Sequence, residues 1–181
     1  FCIAGRFNRA ATWPAAICMA VYEPLVAISS EVMSETLFIF LGLLAIWFIS
    51  EKNPKNSRFF AGGIIIGLCA LTRPVGLLLL PAYAFSFMVG RGLKDWIALG
   101  CVVVGTSITI TPWTIRNYLT HGTFVPITTH AGFIVARSNT FEPAWRQPHG
   151  WGIPLELFQT MPTEIDRDRY WWAKARNFVG Q

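Results

Sequence analysis

Five apolar stretches, roughly 11–30, 35–50, 59–72, 75–90 and 97–115, follow one another with only short polar breaks between them. A helix needs about 20 apolar residues to cross ~30 Å of hydrocarbon. Several of these runs are shorter, so length alone does not count the spans. The breaks constrain the count further. Basic residues cluster at Arg6 and Arg9, at Lys52, Lys55 and Arg58, and at Arg91 and Lys94. Short loops rich in Lys and Arg stay on the cytoplasmic side. Clusters on one side need an even number of spans between neighbours. Two spans fit between Arg9 and Lys52, with a turn around 29–35, and two between Arg58 and Arg91, with a turn at Arg73-Pro74. As one helix, 59–90 would be ~48 Å long, too long for one crossing. The run 97–115 then crosses outward and leaves 117–181 outside. The expected fold is an all-α integral membrane protein. A multi-span helical bundle covers 1–116, and an extracytoplasmic loop and helix segment covers 117–181, ending in an amphipathic helix.

Composition supports this class. Apolar residues make up 53% of the 181 residues and charged residues 14%, where a soluble domain carries about 25% charged residues. That excludes a disordered chain, a nucleic-acid-binding tail and a small disulfide scaffold. The partner implied is a lipid bilayer, with no nucleic acid, and the net charge of +5 is loop charge that orients spans. Cys18, Cys69 and Cys101 lie in apolar stretches and Cys2 near the first basic loop, with no C-x-x-C pair and no His at zinc spacing. They read as small hydrophobes. The chain opens on Phe1 without a signal-peptide pattern and is expected to be the central part of a longer protein.

The outward turns carry a different chemistry. The first holds Glu23, Glu31 and Glu35 and no basic residue, the second holds Arg73 before Pro74, and the third exit runs from Thr111 to Tyr118 through Arg116 and Asn117. Short spans on either side of Arg73 would keep it below the headgroups. A charge at membrane depth costs ~2.5–3.5 kcal/mol even on the lenient scale, so such a residue is a functional candidate. The alternative is that Arg73 snorkels to lipid phosphates.

Beyond Asn117 the character changes. Gly122, Pro126, Gly132, Pro143, Pro148, Gly150, Gly152, Pro154 and Pro162 interrupt any long helix. Short strands are expected at 124–129 and 133–136. His121, His130 and His149 lack metal-ligand spacing, so neither a metal nor a cofactor is implied. A helix is expected over 163–179. Thr163-Glu164-Ile165-Asp166 forms a capping-box pattern, acidic residues fill the first turns, and Lys174 and Arg176 fill the last. Glu164, Asp166 and Asp168 fit either an acid/base pair or an acidic surface. The flank of Trp171, Trp172, Ala175, Phe178 and Val179 packs on a core or lies on a membrane interface. No Walker loop, GxGxxG, GxSxG or HExxH is present.

Three blocks carry a family resemblance. Glu23-Pro24 with Ser34-Glu35-Thr36-Leu37-Phe38 resembles a signature of the GT-C membrane glycosyltransferases. The run Ala61-Gly62-Gly63 to Leu71-Thr72-Arg73-Pro74 looks like the block that follows it. Pro112-Trp113-Thr114-Ile115-Arg116-Asn117-Tyr118, then Gly122 and Phe124-Val125-Pro126-Ile127-Thr128-Thr129, is similar to a third. The order and spacing resemble glycosyltransferase family 39, the protein-mannosyltransferase and lipid A aminoarabinose transferase type. His130-Ala131-Gly132 and Ser138-Asn139 depart from its outer-loop pattern.

The resemblance implies a sugar donor on a polyprenyl phosphate and a glycan, lipid or protein acceptor. It implies that Glu35, Arg73, Arg116 and Asn117 bind substrate, the arginines at the donor phosphate. The catalytic carboxylate of the family lies upstream of Phe1, so the base is not identified in this chain and residues 1–181 alone are expected to be inactive. Two other classes fit the same pattern: another polyprenyl-linked enzyme, such as an O-antigen ligase or polymerase, and a non-enzymatic transporter with paired charges. A transporter would be expected to show internal repeats, and none is evident.

Overall fold

The computed structural model describes residues 8–30, 34–50, 55–90, 96–139 and 163–179, with Ile3, Gly5, Thr160 and Met161. Arg6, Glu31, Lys52, Arg91, Lys94 and His149 lie outside the described residues. Among those described are eight α-helices and no strand. They are α1 (Thr12–Val21), α2 (Glu23–Ser30), α3 (Ser34–Ile49), α4 (Asn56–Thr72), α5 (Leu79–Gly90), α6 (Trp96–His121), α7 (Ala131–Asn139) and α8 (Glu164–Val179). Short 3-10 helices cover Arg9–Ala11 and Pro74–Leu78. The chain forms two compact units, Phe1–Arg116 and Asn117–Gln181.

The first apolar stretch is divided. Tyr22 is extended (φ −69°, ψ 103°), and α2 restarts at Glu23-Pro24. Proline suits a first turn because its missing N–H has no helical partner there. The Tyr22 carbonyl accepts from the amides of Leu25 and Val26. In contrast, α6 continues through Pro112 to His121, past the expected end at 115. Threonines along it tie their hydroxyls to carbonyls of the same helix: Thr106 to Val102, Thr109 to Gly105, Thr111 to Ser107 and Thr114 to Ile110. Such back-bonding leaves few hydroxyls seeking water, which suits a helix in lipid. Only α6 among the described helices is long and apolar enough to cross a membrane, by length and composition; Ser34–Ile49, Asn56–Thr72 and Pro74–Phe85 are apolar but shorter.

Three contacts set the direction of α3 against α4. Glu35 meets Arg73, the Phe38 carbonyl meets Cys69, and Phe48 and Ile49 meet Gly62. The partners run in opposite order, so the two helices form an antiparallel hairpin. Gly63 faces Val102 and Gly67 faces Thr106 and Thr109, in ascending order, so α4 and α6 are parallel. A Cβ on Gly63 would lie 2.2 Å from the Val102 carbonyl oxygen. Only a glycine allows this approach, and Thr106 Oγ1 donates to the Gly63 carbonyl across it at 2.9 Å. The Gly63–Gly67 spacing is the small-xxx-small pattern of close helix pairs in membranes. Ala45, Phe59, Ile66, Tyr83, Ala98 and Val102 make the core of this unit. Its outside is apolar too: Phe40, Leu78, Phe85 and Ile97 are exposed. An apolar exterior over an apolar core fits a lipid surround.

In the second unit the expected strands are absent. The run 133–136 lies inside α7, and 124–129 is irregular. Phe133, Ala136, Trp171 and Ala175 interlock α7 with α8, with the Phe133 and Trp171 rings edge to face at 5.5 Å. A lone hairpin could not bury those side chains, whereas the partner helix does. The expected cap of α8 forms: Thr163 Oγ1 accepts from the Asp166 amide at 3.1 Å. Trp171 and Ala175 of its apolar flank pack inward, while Trp172 is 39% exposed.

Candidate functional site

Arg73 closes α4. The residue before a proline is pushed out of helical geometry, and Arg73 is extended (φ −146°, ψ 125°) ahead of Pro74. Its amide still donates to the Cys69 carbonyl at 3.0 Å, which also accepts from Thr72 Oγ1 at 2.6 Å. The Arg73 carbonyl then accepts from the Gly76 amide at 2.8 Å. Gly76 is buried, and a Cβ there would lie 2.8 Å from the Ala70 nitrogen, so the 3-10 turn folds flat onto α4. The backbone around Arg73 is therefore fixed on both sides.

The side chain leaves this turn toward the first residues of α3. Arg73 Nη1 lies 2.9 Å from Glu35 Oε1, with side chains 43% and 28% exposed. Glu35 is in the first turn of α3, where a carboxylate also suits the helix dipole. Part of the guanidinium fork remains open to the surroundings, which leaves donors for an anionic ligand.

The parallel register relates Arg73 to Arg116. Gly67 faces Thr106 and Thr109. Six residues beyond Gly67 is Arg73, and six beyond Thr106 and Thr109 are Pro112 and Ile115. Glu35, Arg73 and Arg116 therefore lie at the same end of the first unit. Arg116 is exposed, and its guanidinium carbon sits 4.9 Å from the Trp113 ring centroid on its own helix. At the opposite end, Arg58 stacks on Trp47 at 4.9 Å and Phe48 at 5.4 Å.

Asn117, the first residue of the second unit, has a different environment. It is 3% exposed, and its Nδ2 donates to the carbonyls of Val125 and Ile127, both at 3.2 Å. An amide nitrogen has two hydrogens to give, so both are used within the protein. Gly122, in the left-handed region at φ +65°, ends α6 and gives its amide to the Tyr118 carbonyl at 2.9 Å. The sequence pattern marked Asn117 but not this anchoring role. His130, exposed, gives its backbone amide to Thr128 Oγ1. The α8 carboxylates are also engaged: Glu164 accepts from Thr129 Oγ1 at 3.0 Å and Asp168 from the Gly132 amide at 2.9 Å.

These features define a helical membrane protein with a carboxylate–guanidinium pair and a further arginine at one end of its bundle. A family model for dolichyl-phosphate-mannose-protein mannosyltransferases matches residues 1–115. The match covers more than half of the chain, so the chain belongs to that family, whose members are membrane glycosyltransferases of GT-C type. No curated protein and no solved structure matches it significantly.

Proposed function

We propose that this chain takes part in moving a sugar from a polyprenyl-phosphate donor to an acceptor hydroxyl on the extracytoplasmic side of a membrane it crosses several times. The observation that carries the reading is the Glu35–Arg73 pair, with Arg116 at the same bundle end. In this reaction the acceptor oxygen attacks the anomeric carbon and loses its proton to a carboxylate, while the bond to polyprenyl phosphate breaks. Negative charge grows on the departing phosphate oxygen. Guanidinium groups placed there stabilise the transition state more than the ground state.

Arg73 is the first candidate for that contact because its backbone is fixed and Glu35 orients its fork. Arg116 adds a second fork. Asn117 acts by holding the 125–127 segment. The resemblance gives the base to another carboxylate, so Glu35 is a positioning residue here. The orientation follows from the Lys and Arg loops: 51–58 and 91–95 cytoplasmic, 117–181 outside. The acceptor is a hydroxyl of a glycan, lipid or protein.

The test is turnover of a labelled polyprenyl-phosphate sugar by the intact protein in lipid. Release of polyprenyl phosphate that Arg73→Ala removes would support the reading. Uptake or exchange of the donor without cleavage would point to a transporter.

A further inference from the structure

The α8 helix has a second face that the transfer chemistry does not use. Arg169, Trp172 and Arg176 line an open cavity of about 310 Å³. The spacing i, i+3, i+7 puts them on one stripe, with the two guanidinium groups rooted about 10 Å apart along the axis. All three residues are exposed. The neighbouring flank of α8 packs on α7 through Trp171 and Ala175, and the edge of the Trp172 ring lies close to Gly132 of α7.

Charge decides what this stripe attracts. The carboxylates of α8 accept hydrogen bonds from other groups: Glu164 from the Thr129 hydroxyl, Asp166 from the Thr163 hydroxyl and Asp168 from the Gly132 amide. Arg167 donates to the Met161 carbonyl, and Lys174 lies over the Trp171 ring. Among the described residues neither Arg169 nor Arg176 has a carboxylate partner. Two guanidinium groups with no carboxylate partner among the described residues, flanking an indole, match an anionic headgroup on an apolar base. Arginine binds phosphate with a planar fork, and tryptophan sits at headgroup level. The second unit begins on the last turns of α6, the helix long enough to cross a membrane.

We propose that Arg169, Trp172 and Arg176 form a binding site for the phosphate headgroup of an anionic phospholipid. The proposal stands whichever sugar the enzyme transfers. It does not depend on which face of the membrane the second unit occupies.

The test uses the intact protein in non-ionic detergent, titrated with phosphatidylglycerol or phosphatidylcholine, with bound lipid counted by native mass spectrometry. Wild type is expected to retain phosphatidylglycerol preferentially. The Arg169→Gln/Arg176→Gln double variant should bind it about 30-fold more weakly at this site. The Arg169→Lys/Arg176→Lys variant should keep part of the affinity, because charge remains without the fork, and it controls for folding. Millimolar inorganic phosphate should not displace the lipid, since it offers nothing to Trp172. Equal retention by wild type and the glutamine variant would overturn the proposal. Displacement by inorganic phosphate would overturn the lipid assignment and leave a free-phosphate site. Donor turnover is expected to survive the glutamine substitutions, so this result is independent of the transferase reading.

Discussion

Glu35 and Arg73 meet at 2.9 Å although they sit at the start of one helix and the end of the next. The antiparallel packing of α3 on α4 brings those two ends together. The pair is partly exposed, and an exposed ion pair contributes only ~0–1 kcal/mol to stability. Its position is better explained by what it presents than by what it holds together.

A separation of activity from stability follows. Arg73→Ala should lower donor turnover by about 10²–10³-fold, the size of effect seen when one transition-state donor is lost. Arg73→Lys should recover part of it, because an ammonium lacks the planar fork. Thermal unfolding in detergent should shift little in either variant. A large loss of thermal stability in Arg73→Lys would assign the residue a structural role instead.

The α4–α6 crossing should behave in the opposite way. Gly63→Ala drives a Cβ toward the Val102 carbonyl and should destabilise the protein by about 1–3 kcal/mol, as overpacking does. Gly100, also on α6, has open space around it, so Gly100→Ala should be tolerated. Thr106→Val removes the hydroxyl shared between Gly63 and Val102 and should cost about 0.6–1.7 kcal/mol. Thermal shift measurements on the three variants check the order.

Asn117 offers a local test in the second unit. Asn117→Ala removes the donor from the Val125 and Ile127 carbonyls, and an unsatisfied buried group costs about 1–3 kcal/mol. Limited proteolysis should then cut within 122–130 faster than in wild type, with α4 and α6 unaffected. Unchanged cleavage would show that the amide is not the anchor of this segment.

Much of the helical frame is legible in the sequence, because long apolar runs with Gly, Pro or charge at their ends become helices whatever they pack against. The ends are less legible. The expected span ends at 115, yet α6 runs on through Pro112 to His121, with the hydroxyls of Thr111 and Thr114 bonding back along it. The run 124–129 has strand composition, but Pro126 cannot donate and Asn117 takes the carbonyls on either side of it. The run 133–136 is too short for period alone to decide between helix and strand, and the contact with Trp171 settles it as helix. At the site, Arg73, Arg116 and Glu35 can each be picked from residue type and loop position. Their pairing cannot, since only the hairpin register brings Glu35 rather than another carboxylate to Arg73.

Orientation has its own measurement. In a background with the native cysteines replaced by alanine, Lys55→Cys and Asn177→Cys should react differently with a membrane-impermeant thiol reagent on intact cells. Position 177 is expected to label and position 55 to stay protected until the membrane is permeabilised. The one-sided placement of Lys and Arg in the loops is the basis, and the reverse pattern would invert the assignment.

The most direct test is a double-mutant cycle on donor cleavage by the intact protein, using Glu35→Gln, Arg73→Ala and the two combined. If Glu35 acts by orienting Arg73 at the donor phosphate, the losses are not additive. The double variant is then predicted to be about as slow as Arg73→Ala alone. Losses that multiply, with the double variant slower by the product of the single effects, would contradict a shared role for the pair.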